Sequence, residues 1–360
     1  MIANNIHIKL LGTISLGIGL VVILFLSSEK QLHQNNAFTR SYPPHPVIKL
    51  YDLDLGYNSY YIAGTDHNEI YLGNSTAPWH LLKVNISSKD TLHIELAPTN
   101  KQLRYRSLKV YVSPPFFFVM DGTMPFILRG KVGEWKARPW IEQTAYFNKA
   151  LPLDSTKILI RTISSTTHQS TLGIIEHFKS PNLILDTSLL RQHIDGVFDV
   201  DGILIKNGYG PEVGYVFFYK NQFMIMDSHL KNVSRQRTID TVEQAQIRVG
   251  NQNKKGQISM SAPPLTINKF ACMTGRFVLI QSDRLGKNEN KAMLDQASII
   301  DVYNYKEGIY AFSFYLYHIA GHKPRAFEII GNHMVALVGD QLSIYRTIEP
   351  FFENLNIIEH

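Results

Sequence analysis

Residues 296–346 read QASIIDVYNYKEGIYAFSFYLYHIAGHKPRAFEIIGNHMVALVGDQLSIYR. This stretch alternates between strand-like runs and short turns. Aromatic and β-branched residues, the types enriched in strands, fill the runs. Gly and Asn stand in the turns, where they supply the positive φ angles that tight hairpins require. The stretch therefore predicts a meander of antiparallel strands at residues 297–303, 309–317, 326–330, 334–338 and 341–346.

Weaker copies of this meander recur upstream, so the chain is built from repeated units. Their spacing of about 40 to 60 residues is typical of propeller blades with insertions. A sheet of this size cannot bury both faces alone, and neighbouring units must stack around an axis. We predict an all-β, six-bladed β-propeller, with seven blades as an alternative, and units at residues 59–97, 108–140, 147–190, 197–240, 265–317 and 327–346.

Two other segments bear on this architecture. Residues 47–55 (VIKLYDLDL) alternate cleanly, and we expect them to pair with the last unit and so remove the exposed edges of the ring. Residues 241–263 fit neither a strand nor a helix, which predicts a long exposed loop. A two-sheet sandwich is the rival fold, but such domains rarely exceed about 250 residues.

The composition agrees with an all-β protein and restricts its partners. Of 360 residues, 44% are hydrophobic and only 18% are charged, with 23 Gly and 16 Pro. The net charge is +6, but the basic residues are scattered, and nucleic-acid binding would require a coherent basic face. The single cysteine, Cys272, excludes an intrachain disulfide, and its apolar neighbours predict a buried, inert thiol.

The amino terminus predicts export. Residues 10–26 (LLGTISLGIGLVVILFL) carry no charge and approach the length of about 20 residues that spans a bilayer. A retained signal anchor is favoured over a cleaved signal peptide, because Phe25 or Leu26 would lie three positions before the cut. We expect a signal segment at 1–28, a polar linker at 29–46 and a propeller at 47–360, in the periplasm or anchored at the inner membrane.

Three segments resemble a known group of proteins. They are FFFVMDGTMPFILRGKVGEWKA (116–137), APPLTIN (262–268) and the 296–346 stretch. Together they resemble uncharacterised exported proteins of Gram-negative bacteria that are related to TolB-like six-bladed β-propellers. The resemblance covers most of the chain after residue 50 and implies blades and export. It implies no functional residue.

Common catalytic signatures are missing from the sequence. It contains no G-x-S-x-G, H-E-x-x-H or P-loop motif. Asp195, Asp199 and Asp201 weakly resemble a calcium loop, but the spacing lacks the terminal Glu and favours turn capping. Asp121-Gly122 is interpreted as a hairpin turn.

Three histidines fall close together near the end of the chain. His318, His322 and His333 would have to converge to bind a metal, and their spacing does not predict such a geometry. We therefore expect neither a metal nor another cofactor.

One segment combines cations with aromatic residues. Such groups suit an acidic peptide or a glycan, through stacking and charge-assisted hydrogen bonds. The alternative is that the tryptophans pack between blades and the cations are solvated. The candidate ligand-binding residues are Arg129, Lys131, Trp135, Lys136, Arg138 and Trp140.

These observations favour a non-catalytic exported propeller that binds a protein or peptide on one face of the ring. The alternative is a propeller enzyme, either a lactonase-like hydrolase or a quinoprotein-like oxidoreductase subunit, with its site in the central channel. Converging carboxylates or histidines in the channel would favour the enzyme. Aromatic residues and lone charges there would favour the binding protein.

Overall fold

The computed structural model describes residues 10–24, 37–100, 102–250, 259–260, 262–287 and 289–352. These residues form six sheets of four or five strands and one two-stranded sheet. We number the six larger sheets blades 1 to 6. The first strand of the chain, β1, is Val47–Asp54.

The strands of blades 1 to 3 follow one another in the chain. Blade 1 contains β2 (Tyr60–Asp66), β3 (Glu69–Asn74), β4 (His80–Asn85) and β5 (Thr91–Glu95). Blade 2 contains β6 (Ala97–Pro98), β7 (Lys109–Ser113), β8 (Phe116–Asp121), β9 (Phe126–Lys131) and β10 (Lys136–Glu142). Blade 3 contains β11 (Lys149–Pro152), β12 (Lys157–Ile163), β13 (Ser170–His177) and β14 (Pro181–Asp186).

Blades 4 to 6 continue the pattern, with short insertions. Blade 4 contains β15 (Gly202–Lys206), β16 (Val213–Phe217), β17 (Gln222–Met226) and β18 (Ser234–Arg237), and is followed by the pair β19 (Val249–Gly250) and β20 (Ser259–Met260). Blade 5 contains β21 (Phe270–Thr274), β22 (Phe277–Ser282), β23 (Ala297–Asn304) and β24 (Ile309–Tyr317), with helix α2 (Met293–Gln296) before β23. Blade 6 contains β25 (Pro324–Ile330), β26 (His333–Val338) and β27 (Gln341–Thr347).

The blades are arranged around an axis, as the repeats predict. The innermost strands β2, β7, β11, β15, β21 and β25 contact their neighbours in turn, and β25 contacts β2 to complete the ring. A buried apolar cluster fills each of the six junctions between blades. Removing this apolar surface from water is the main force that holds the blades together. The six-bladed propeller predicted from the sequence is confirmed.

The first strand closes the ring. β1 pairs antiparallel with β27 from Val47 opposite Thr347 to Asp54 opposite Gln341. The outermost strand of blade 6 is thus supplied by the other end of the chain, as predicted for residues 47–55, and the edge of β27 is covered. The two hairpins of blade 6 turn at Gly331 (φ 58°) and Gly339 (φ 61°), which confirms the turns expected there.

Two local predictions are wrong. The first unit, predicted at residues 59–97, ends earlier, because Ala97 and Pro98 pair with β10 of blade 2 as β6. The segment 241–263 is not simply an exposed loop, since β19 pairs with β20 and the side chains of Ala245 and Ile247 are buried. A two-residue ladder is too short to produce the alternation by which strands are recognised.

The amino-terminal segment is described only in part. Residues 10–24 form helix α1. The remainder of the predicted anchor, residues 1–9 and 25–28, lies outside the described residues. In the described part of the chain, no helix has the length and apolar character needed to cross a membrane.

Residues 37–42, which we name the strap, lie against blade 5 although the sequence suggests a linker there. Arg40 donates to both carboxylate oxygens of Asp301 (2.7 and 3.0 Å) and to Glu289 (2.8 Å). The ring of Tyr42 stacks on Tyr315 at 4.6 Å. The Arg40 side chain is only 1% exposed. The strap is therefore fastened to the propeller by a buried ion pair.

Candidate functional site

The six residues selected from the sequence lie on or between β9 and β10, outer strands of blade 2. Arg138 pairs with Arg129 across the two strands. Side chains two residues apart in a strand point to the same face, so Lys131 shares the face of Arg129, and Lys136 that of Arg138. The structure thus brings four cations to one face of blade 2.

Packing shows that this face is turned toward blade 3. Phe116 and Phe118 lie opposite Lys131 and Arg129 in the β8–β9 ladder. Both phenylalanines pack in the apolar cluster that blades 2 and 3 share. The four cations consequently border the groove between these two blades.

Arg129 is the most restrained of the four. Its guanidinium lies 4.7 Å from the centre of the Phe116 ring and 4.6 Å from that of Trp140, and it donates to the carbonyl oxygen of Ser155 at 2.6 Å. Burial lowers its pKa. Arg129 thereby ties the side of the groove to blade 3 and orients the Trp140 ring.

The other three cations are free to meet a ligand. Lys131, Lys136 and Arg138 are exposed, and no carboxylate among the described residues forms an ion pair with any of them. Glu134, in the turn between the strands, is also exposed.

Apolar side chains form the floor beside these cations. Trp140 packs against Phe118 at 5.4 Å and against His177 at 5.3 Å. On blade 3, Leu183 joins the same cluster, and Leu185 has the same orientation in β14 but is 38% exposed. We name the set Arg129, Lys131, Lys136, Arg138, Trp140 and Leu185 the cationic groove.

Trp135 is not part of this groove. Its backbone has a positive φ of 54°, and its ring packs on Tyr71 at 5.9 Å and Phe117 at 5.3 Å in the junction of blades 1 and 2. The structure therefore separates the two tryptophans onto opposite sides of blade 2. Trp135 therefore packs between blades, which is the alternative that the sequence left open for the tryptophans.

Asp195 and Asp199 cap turns, as predicted, whereas Asp201 does not. Asp195 accepts backbone N–H groups of residues 197–199, and Asp199 accepts those of residues 193, 194 and 196. Asp201 forms an ion pair with the buried Arg161. Asp121 caps its hairpin, and although burial opposes ionisation, four backbone N–H donors hold its pKa below the usual value.

The histidines and the cysteine occupy separate places. His318 bonds to Ser298 and to the carbonyl of Asp295, whereas His333 begins β26. Cys272 is buried, as predicted, and desolvation raises its pKa well above the ordinary value. Within the described ranges, no group of three or more His, Cys, Asp or Glu side chains is placed to hold a metal ion.

The residues that line a cavity on the axis of the ring were not identified from the sequence. The cavity has a volume of about 660 Å³ and lies between the inner strands. Lys206 and Glu328 face it from β15 and β25. One sequence feature could have indicated these residues, namely a single charged residue in an otherwise apolar strand. Lys206 stands in this way in GILIK (202–206), and Glu328 in AFEII (326–330). The main lining comes from residues 62–65, 111–114, 151–154, 203–208, 270–273 and 328.

Comparisons with known proteins identify the architecture. No protein-family model matches the sequence, and no curated protein matches it either. A solved structure of a member of the DUF4221 family from Bacteroides vulgatus is similar, with a TM-score of 0.53 and 11% identity over 83% of this chain and 97% of that one. A putative exported protein from Bacteroides fragilis gives a TM-score of 0.50 and 9% identity, covering 88% of this chain and 99% of the other. These likenesses show the fold. At the level of the fold, the predicted resemblance to exported six-bladed propellers is confirmed.

Proposed function

We propose that this protein is a non-catalytic, exported propeller of the bacterial cell envelope that binds an acidic segment of another protein in the cationic groove. One observation carries the proposal. Lys131, Lys136 and Arg138 are exposed, lack carboxylate partners among the described residues, and share the face of the Arg129–Trp140 stack. The propeller supplies the rigid support for this face.

The chemistry of the groove matches an acidic, partly apolar segment. Carboxylates of the ligand would accept charge-assisted hydrogen bonds from the lysines and a two-pronged bond from Arg138. An apolar side chain of the ligand would cover Trp140 and Leu185, which are half-buried and 38% exposed. A purely acidic or purely apolar segment would gain only one of these two contributions.

Export is supported by separate observations. The uncharged run of residues 10–26 suits a signal segment. A putative exported protein has a similar fold. We propose that the propeller lies in the periplasm and that the amino-terminal segment holds it at the inner membrane.

Cell fractionation tests the proposed location. The full-length chain should remain in the membrane pellet after alkaline carbonate extraction and should be digested by protease added to spheroplasts. Recovery of a shortened chain in the soluble periplasmic fraction would show a cleaved signal peptide instead, and protection from protease would contradict export.

The binding proposal is tested with full-length protein in a nonionic detergent. The probe is a fluorescent peptide that alternates glutamate with leucine, and its matched control carries lysine in place of glutamate. Combining Lys131→Gln, Lys136→Gln and Arg138→Gln should weaken binding of the acidic peptide about tenfold, because three exposed ion pairs contribute about 0.5 kcal/mol each. Fluorescence anisotropy measures the change.

The control removes the same charge elsewhere. Arg191, Lys231 and Lys287 are exposed cations outside the groove. Replacing them by glutamine should leave the affinity within about twofold at physiological salt, since screening limits distant charges. An equal loss in both triple variants, or binding of the lysine peptide as tight as that of the acidic one, would overturn the proposal.

A further inference from the structure

The axial cavity is a second site, separate from the cationic groove. Its volume of about 660 Å³ falls in the range of about 300 to 1,000 Å³ that small-molecule pockets occupy. Ile62, Ile203 and Phe270 contribute apolar surface, whereas Lys206 and Glu328 contribute polar groups. The wall is mixed, with somewhat more apolar than polar surface, and apolar surface combined with placed polar groups is usual in a ligand site.

Lys206 reaches across the ring from blade 4. Its ammonium group donates to Ser113 Oγ of blade 2 at 3.2 Å and to the carbonyl oxygen of Pro152 of blade 3 at 3.1 Å. Both acceptors are neutral, and an ammonium group has three donors. No described carboxylate forms an ion pair with Lys206. One N–H and the positive charge are left for another acceptor.

Glu328 faces the same cavity from blade 6. No described residue forms a hydrogen bond or an ion pair with its carboxyl group, which is half-buried at the wall of the cavity. Desolvation raises the pKa of Glu328 to about 8, with Lys206 opposing the rise. This shift favours the protonated carboxyl group, which carries an O–H donor.

Burial lowers the pKa of Lys206, and the charges of Glu328 and Asp154 oppose that shift. Asp154 is exposed, and its carboxylate accepts the N–H groups of its own turn. Glu212 is paired with Lys306. Burial raises the pKa of the Cys272 thiol and raises that of Tyr111 to about 12, which keeps both neutral. The neighbouring Tyr209 hydroxyl, whose pKa burial also raises, accepts the N–H of Gly331.

We propose that the axial cavity binds a small organic acid, whose carboxylate accepts hydrogen bonds from the Lys206 ammonium group and from the Glu328 carboxyl group. The apolar walls around these two donors contact the body of the ligand. A carboxylate is favoured over a neutral group because it supplies both acceptors and the missing negative charge. An apolar body is favoured over a small inorganic anion because only the former covers the walls.

The test uses full-length wild-type protein in nonionic detergent and three probes: benzoate, the neutral isostere benzamide, and inorganic phosphate. Ligand-observed saturation-transfer NMR measures benzoate and benzamide, and competition with benzoate measures phosphate. Benzoate should bind saturably and at least tenfold more tightly than benzamide. Phosphate that displaces benzoate at equal or lower concentration would replace the organic acid by an inorganic anion and overturn the proposal, as would equal affinities of benzoate and benzamide.

Two substitutions locate the binding. Lys206→Met removes the charge but keeps the length of the side chain, and should reduce benzoate affinity at least tenfold. Lys231→Met, at an exposed position outside the cavity, should leave it unchanged. Circular dichroism confirms that both variants are folded. Retained affinity in folded Lys206→Met, or no saturable binding to the wild type, contradicts the proposal.

The dependence on pH gives a readout that a merely structural lysine would not produce. As Glu328 ionises, its donor is lost and a negative charge appears beside the ligand. With a pKa of about 8, wild-type affinity for benzoate should fall about tenfold between pH 6 and pH 9. Glu328→Gln should show a shallower fall over that range, because only Lys206, whose pKa burial lowers, then still loses charge as pH rises. An equally steep decline in the variant would overturn the role of Glu328.

Discussion

Replacing Arg40 by methionine should be among the most destabilising single changes in this chain. The side chain of Arg40 is 1% exposed, and its partners Glu289 and Asp301 are 8% and 4% exposed. Burial alone would lower the pKa of Arg40, but the two carboxylates outweigh burial and raise it. Arg40→Met would therefore leave two buried carboxylates without their cation, a loss that costs about 3–5 kcal/mol in comparable pairs.

Urea unfolding of the full-length protein in detergent, followed by tryptophan fluorescence, measures this cost. The matched control is Lys49→Met, because the ion pair of Lys49 with Asp52 is 42% and 33% exposed and should contribute less than about 1 kcal/mol. Combining Arg40→Met with Glu289→Gln and Asp301→Asn should recover part of the loss, since it removes the stranded charges. If Arg40→Met costs no more than Lys49→Met, the strap is not held by a buried ion pair.

The close contact between blades 1 and 2 and the half-buried acid on the axis lead to two more predictions. A Cβ at Gly64 would lie 1.9 Å from the carbonyl oxygen of Val112, so Gly64→Ala should lower the unfolding free energy by about 2 kcal/mol or more. The control is Gly208→Ala, whose Cβ would have nothing within 4 Å and which should change the unfolding free energy by less than about 0.5 kcal/mol. Equal costs of the two substitutions would contradict this prediction. The pKa of Glu328 is about 8 in the folded protein, against an ordinary value of 4.5, so as pH rises the unfolded state loses this proton at lower pH than the folded state does. The stability of the wild type should therefore fall relative to that of Glu328→Gln between about pH 4.5 and pH 8. Parallel melting-temperature profiles of the two proteins over that range would refute the assignment.

Local sequence patterns predicted the blades because the turn residues and the alternation that define each hairpin lie close together in the chain. Gly331 and Gly339 mark turns between short apolar runs, and the alternation of residues 47–55 marked the closing strand. Such signals act within about ten residues, which is the range over which periodicity and turn chemistry operate.

Features that depend on distant partners were not predictable in this way. Arg40 lies in a polar segment, and its partner Asp301 is 261 residues away. The sequence identified part of the groove, namely its four clustered cations and Trp140. Only the β9–β10 register and the packing of Trp135 show that the cations share one face and that Trp135 lies on the other side. Lys206 and Glu328 belong to strands of different blades, so no spacing in the chain joins them.

Hydrogen exchange of the full-length protein, with and without the glutamate–leucine peptide, tests the location of binding most directly. If the cationic groove is the binding site, the peptide should slow exchange in β9, β10 and β14, and the slowing should disappear when Lys131, Lys136 and Arg138 are all replaced by glutamine. Protection confined to the loop 207–212 over the axis, or protection that survives the triple substitution, would contradict the groove as the functional site.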